Sequence, residues 1–188
     1  MANETALVII DMQHDFISLE SPLCMREVSK IIPGIKALIA EARKKGWPVI
    51  YVIREHDPSG ADIEKFRLKY FEKYPFCITG EKGAEVAEDI RPEKGDIVIG
   101  KTRFSGFFGT KLDLVLRRLG IRRLLLCGAQ YPNCIRATAV DGIGLDYDVE
   151  ICPDATWGAS QEVIDANIYD MRNMGIKFPG LEEIAAEE

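Results

Sequence analysis

Histidine is nearly absent from this 188-residue chain, occurring only at His14 and His56. A divalent metal site normally draws three or more protein ligands, so no resident metal is expected, and no other cofactor. No apolar run approaches the ~20 residues that span a bilayer. The first run, Ala6 to Ile10, stops at Asp11 and is preceded by no basic region, so neither membrane insertion nor export is expected. Basic excess is missing too: 24 Lys and Arg stand against 30 Asp and Glu, a formal net charge of −6, which gives no general attraction to nucleic acid or anionic lipid. Arg117-Arg118 and Arg122-Arg123 flank Leu119-Gly120-Ile121 and read as cations at a helix C-terminus. Five cysteines without C-x-x-C spacing suggest neither a disulfide framework nor a zinc ribbon. A cytoplasmic setting, where thiols stay free, is expected. Repeats, low-complexity tracts and linkers are also lacking. Residues 1–188 therefore read as one soluble domain, with 47% hydrophobic and 29% charged residues.

What is present is alternation. Strand patterns at about 5–11, 48–53, 96–100, 122–128 and 147–152 are interleaved with helical patterns at about 31–45 (ending at Gly46), 110–119, 132–144 and 160–174. Such order predicts an α/β fold of three layers, a mostly parallel sheet with helices on both faces. The near-continuous apolar run Leu7-Val8-Ile9-Ile10 fits a strand buried on both sides. Residues 54–95 lack strong periodicity apart from a short helical piece near 83–89. A connection of this length reads as a pocket cover or a subunit contact.

Three chemically capable residues fall where strands end. Asp11 closes the first strand, Lys101 follows the third, and Cys134 lies just beyond the fourth. The carboxyl edge of a parallel sheet is where open α/β folds place their chemistry. Taken singly, Asp11 fits a turn and Lys101 a solvated surface. The segment Tyr131 to Arg136 opens a helical pattern with Pro132 at its start. Unpaired N–H groups of such a first turn favour thiolate over thiol, so Cys134 is expected to have a lowered pKa. Asp11 would hold Lys101 charged and carry a proton between the thiol and a leaving group. Cys24, Cys77, Cys127 and Cys152 lack this setting and read as structural.

Val8 to Phe16 (VIIDMQHDF), Lys101 to Phe108 (KTRFSGFF) and Gly128 to Asp141 (GAQYPNCIRATAVD) resemble, in order and spacing, the motifs of isochorismatase-like cysteine hydrolases. That superfamily includes nicotinamidases, N-carbamoylsarcosine amidases and ureidoacrylate amidohydrolases. The resemblance, over about residues 5–176, implies a Rossmann-like isochorismatase fold and a catalytic triad of Asp11, Lys101 and Cys134. It also implies a non-proline cis peptide between Ala129 and Gln130, and an oxyanion hole from the backbone N–H groups of Gln130 and Cys134. Family members are commonly homo-oligomers, so a dimer or tetramer is expected. Nicotinamidases carry an aspartate and two histidines after the second strand as a metal site, which Ile53-Arg54-Glu55-His56-Asp57-Pro58 does not supply. True isochorismatases lack the nucleophilic cysteine that stands here at Cys134.

The expected function is hydrolysis of a C–N bond in a small amide, ureido or carbamoyl substrate through a thioester. The alternatives are a non-catalytic binding protein and a redox-responsive thiol protein on the same fold. Arg54 and Arg103 are candidates for an anionic substrate group. Phe16 and Tyr131 are candidate walls, with Phe104, Phe107 and Trp157 as further aromatics near the motifs. His14 reads equally as a hydrogen-bonding neighbour of Asp11 or a turn residue. Phe66, Tyr70, Phe71, Tyr74 and Phe76, interleaved with Arg67, Lys69 and Lys73, read as an amphipathic helix on the core rather than a substrate wall.

Overall fold

The computed structural model describes residues 4–187. Five strands, β1 (Thr5–Ile10), β2 (Val49–Arg54), β3 (Ile97–Lys101), β4 (Arg123–Ala129) and β5 (Asp148–Trp157), form one sheet in the order β3-β2-β1-β4-β5. Every pairing is parallel. Parallel neighbours need crossovers, and helices supply most of them on the two faces. The expected three-layer architecture is therefore present.

Burial follows the strand period of two. Leu7 and Ile9 of β1 face one core cluster, whereas Ala6, Val8 and Ile10 face another. The first cluster takes Ile35, Leu38 and Ala42 from α2 (Ile32–Lys45) and Ile184 from α7 (Leu181–Ala186). The second takes Leu112 and Leu116 from α4 (Leu112–Arg118), Ala139 from α5 (Arg136–Gly144) and Met171 from α6 (Gln161–Arg172). Gly46, at φ 69, ends α2 in the left-handed conformation, which glycine adopts without the Cβ clash.

Differences from the sequence expectation lie in three places. β5 runs five residues past its expected end, because a bulge opposite Leu126 to Gly128 absorbs Pro153 and lets Thr156 and Trp157 pair again. Proline is tolerated at a bulge on an edge strand. The expected helix at 83–89 is two single 3-10 turns, Lys82–Ala84 and Glu88–Ile90. Residues 54–95 do contain a helix, α3 (Leu68–Lys73), after the short α1 (His14–Ile17). Phe71, Phe76, Cys77 and Ile78 build a separate small core beneath it, while Phe66, Tyr70 and Tyr74 stay exposed.

Candidate active site

Neighbouring strands bring their carboxyl ends together. Asp11 follows β1, Arg54 ends β2, and Lys101 ends β3 paired with Arg54 in register. Asp11, at φ 53, donates its N–H to Val52 O at 3.0 Å, which turns the chain off the sheet edge. β1 and β4 approach closely at Gly128, where a Cβ would lie 2.2 Å from Ile10 O and φ is +108. Only glycine fits that combination.

Beyond β4, the peptide between Ala129 and Gln130 is cis, as the resemblance implied. Tyr131–Ile135 then forms a wide π-helical turn ahead of α5. Cys134 sits in this turn, with its carbonyl bonded by Thr138 Oγ1 at 2.7 Å. Thr138 Oγ1 also accepts from the Gly106 N–H at 2.8 Å, tying the cysteine turn to the loop after β3.

The three side chains singled out from the sequence meet. Lys101 Nζ lies 2.8 Å from Asp11 Oδ2 and 3.4 Å from Cys134 Sγ, and also donates to Arg103 O at 3.1 Å. All three residues are buried. Asp11 Oδ1 has no hydrogen-bond partner of ordinary geometry among the described residues, which leaves an acceptor beside the sulfur. A small cavity of about 30 Å³ lies against Asp11 and Cys134. Asp11, Phe16, Arg54, Phe104, Gln130 and Cys134 border it.

The lowered thiol pKa expected from the sequence is not found. Burial, followed by the charge of Asp11, pushes the Cys134 thiol up to about 11 against the opposing charges of Lys101 and Arg54. The expectation assumed an open helix N-terminus, whereas the sulfur lies in a closed turn next to a carboxylate.

Arg54 is the largest fully buried side chain. Its guanidinium pairs with Glu64 at 2.9 Å, donates to Thr102 O at 3.3 Å and stands 4.0 Å from Cys134 Sγ. Burial opposes its charge, but Asp11, Cys134 and Glu64 outweigh that and raise its pKa. Burial pulls the Glu64 carboxyl up, while the Arg54 charge and hydrogen bond bring it below the usual range. His56 touches this pair through Nε2, 3.4 Å from Arg54, and holds Asp62 through Nδ1 at 3.1 Å. Burial and the Arg54 charge lower the His56 pKa. Where nicotinamidase resemblance would put a metal, these residues do not fit a divalent cation, because a permanent guanidinium charge faces the one histidine ring. Among the described residues no group of three or more His, Cys, Asp or Glu is placed to hold a metal ion.

Two sequence candidates lie elsewhere. Tyr131 is turned into the second core cluster and does not border the cavity. Arg103 does not border the cavity, and its Nη1 donates to the carbonyls of Asp62 and Thr102. Conversely, Gln13, Glu64, Arg67, Met25 and Asn133 gather at or behind the cavity without having been foreseen. His14 donates its backbone N–H to Glu85 O at the start of α1.

Comparison with known proteins places these features in context. The isochorismatase domain family matches residues 5–183. A protein of Arabidopsis thaliana named a probable inactive nicotinamidase is 42% identical over 97% of this chain and 95% of its own length. The ureidoacrylate amidohydrolase of Pantoea ananatis is 32% identical over 89% of this chain and 75% of its own. The crystal structure of an isochorismatase family protein from Desulfovibrio vulgaris superposes with a TM-score of 0.92 at 45% identity, covering 95% of each chain.

Proposed function

Because the chain belongs to the isochorismatase family, we propose that it is a cysteine hydrolase cleaving the C–N bond of a small amide, ureido or carbamoyl compound. One observation carries this reading: Lys101 Nζ reaches both Asp11 at 2.8 Å and Cys134 at 3.4 Å beside a cavity. A structural ion pair has no need of a thiol at its open side.

In the proposed reaction the neutral Cys134 thiol passes its proton to Asp11 as sulfur attacks the carbonyl carbon. Lys101 holds Asp11 in place and compensates the thiolate as it forms. The backbone N–H groups of Gln130 and Cys134 receive the oxyanion, each such donor contributing ~3 kcal/mol of transition-state stabilisation. Asp11 then returns the proton to the leaving nitrogen, and ammonia or an amine departs. Water, deprotonated by Asp11, attacks the thioester, and the acid product and free thiol are regenerated. The high thiol pKa suits this order, because ionisation is coupled to attack rather than standing ready beforehand.

The name of the Arabidopsis relative motivates a second reading, a catalytically silent protein on the same fold. Ammonia release from a panel of nicotinamide, ureido acids and carbamoyl compounds separates the two. Turnover that disappears in Cys134→Ser supports the hydrolase, as does an acyl adduct on Cys134 in intact mass. No turnover and no adduct across the panel supports the silent protein. An adduct of oxygen alone under mild peroxide identifies the third alternative, a redox-responsive thiol. We also infer a cytoplasmic homo-oligomer. Among the described residues all five cysteines are free, and no helix is long and apolar enough to cross a membrane.

A further inference from the structure

The cations around the cavity are not equally occupied. Lys101 is paired with Asp11 and Arg54 with Glu64. Arg67, which also borders the cavity, has no salt bridge, and its guanidinium has no hydrogen bond within the described residues. It is held by rings instead: the guanidinium carbon lies 5.0 Å from the Phe104 centroid, 5.2 Å from Phe66 and 6.0 Å from Phe76. Stacking on ring faces fixes a planar cation while leaving its in-plane N–H donors available.

Charge points the same way. Bordering the cavity, or paired to a group that does, are three cations (Arg54, Arg67, Lys101) and two carboxylates (Asp11, Glu64). One positive charge is therefore in excess while the thiol is neutral. Burial and the nearby Arg54 both disfavour the charged form of Arg67, with Glu64 the largest opposing influence. An anion entering the cavity would relieve that repulsion and satisfy the free donors.

We infer that Arg67 is the recognition group for a carboxylate carried by the substrate, engaging it through its two-pronged donor edge while the carbamoyl or amide end meets Cys134. This rests on the cavity being the substrate site and narrows the substrate class to small anionic amides or carbamoyl acids. Arg67 thereby acts as a specificity determinant, and replaces Arg103 as the second arginine of the site.

The test uses matched ligands, N-carbamoylglycine and its neutral carboxamide, with binding measured by calorimetry on full-length Cys134→Ala protein. In that background binding is read without turnover, so the outcome stands even if the hydrolase reading fails. The acid is expected to bind more tightly than the carboxamide. Arg67→Gln is expected to weaken the acid about ten- to a hundredfold, the scale of a charge-assisted pair, and to weaken the carboxamide far less. Arg67→Lys should fall between, keeping charge but losing the planar fork. Acetate distinguishes a substrate carboxylate from a free small anion and should bind more weakly than N-carbamoylglycine. Equal affinity for acid and carboxamide overturns the inference, as does acetate matching the acid, an Arg67→Gln protein of unaltered preference, or absence of binding at millimolar concentration. If turnover is detected, kcat/KM for the two ligands should show the same split.

Discussion

Gln13 and Arg54 are locked by a reciprocal pair of hydrogen bonds: Gln13 Nε2 donates to Arg54 O at 2.6 Å, and the Arg54 N–H donates to Gln13 Oε1 at 2.7 Å. Gln13 Nε2 donates also to Ala84 O at 2.8 Å. One buried amide thus fastens the loop after β1 to the end of β2 and to the segment carrying the 3-10 turns. Gln13→Leu leaves these backbone groups without that partner, at about 1–3 kcal/mol for each that finds no other. Urea denaturation should show a loss of that order, and an unchanged midpoint would mean the clamp is idle.

Alkylation of Cys134 should be slow at neutral pH. With the thiol near 11, raising pH from 7 toward 10 increases the thiolate fraction about tenfold per unit. The rate of iodoacetamide labelling at Cys134, followed by peptide mass, should climb over that whole interval. Lys101→Met removes a charge that lowers the thiol pKa and should move the curve further to alkaline pH. A rate already level below pH 7 would contradict the assigned environment.

The Lys101–Asp11 pair is buried on both sides. Removing one partner strands a charge, which typically costs 3–5 kcal/mol. Lys101→Met alone should therefore be strongly destabilising, and Asp11→Leu combined with Lys101→Met should recover most of the loss. Thermal denaturation of the two single variants and the double variant measures this, and simple additivity would argue that the two groups do not interact.

Gly128→Ala should destabilise the fold by several kcal/mol, since the new methyl meets backbone at 2.2 Å and the residue holds φ +108. Gly144, the last residue of α5, has open space around a built Cβ. Gly144→Ala should leave the melting temperature unchanged or slightly raised. Similar losses in both variants would refute the close approach of β1 and β4.

The sheet was legible because its strands are short apolar runs between helical patterns, and burial on both faces leaves little else for Leu7 to Ile10 to do. Asp11, Lys101 and Cys134 were legible because the carboxyl edge of a parallel sheet concentrates chemistry, and the three motifs agreed with a family in order. The thiol pKa was misread because sequence spacing suggests a helix start but carries no information on burial or on which carboxylate faces the sulfur. Arg67 and Glu64 were hidden in a segment whose local pattern is weak, where a loop's path, not its periodicity, decides what reaches the cavity. Tyr131 illustrates the converse: its position beside Cys134 in the chain says nothing of its direction, and the π turn swings it into the core.

The tips of four adjacent strands, or the turns just beyond them, contribute Asp11, Arg54, Lys101 and Cys134. No short stretch of the chain holds the set. Cleavage in the long segment between β2 and β3 leaves Asp11 and Arg54 on one piece and Lys101 and Cys134 on the other. Neither piece alone holds the set, so the chemistry proposed for Cys134 needs β1, β2, β3 and β4 assembled side by side.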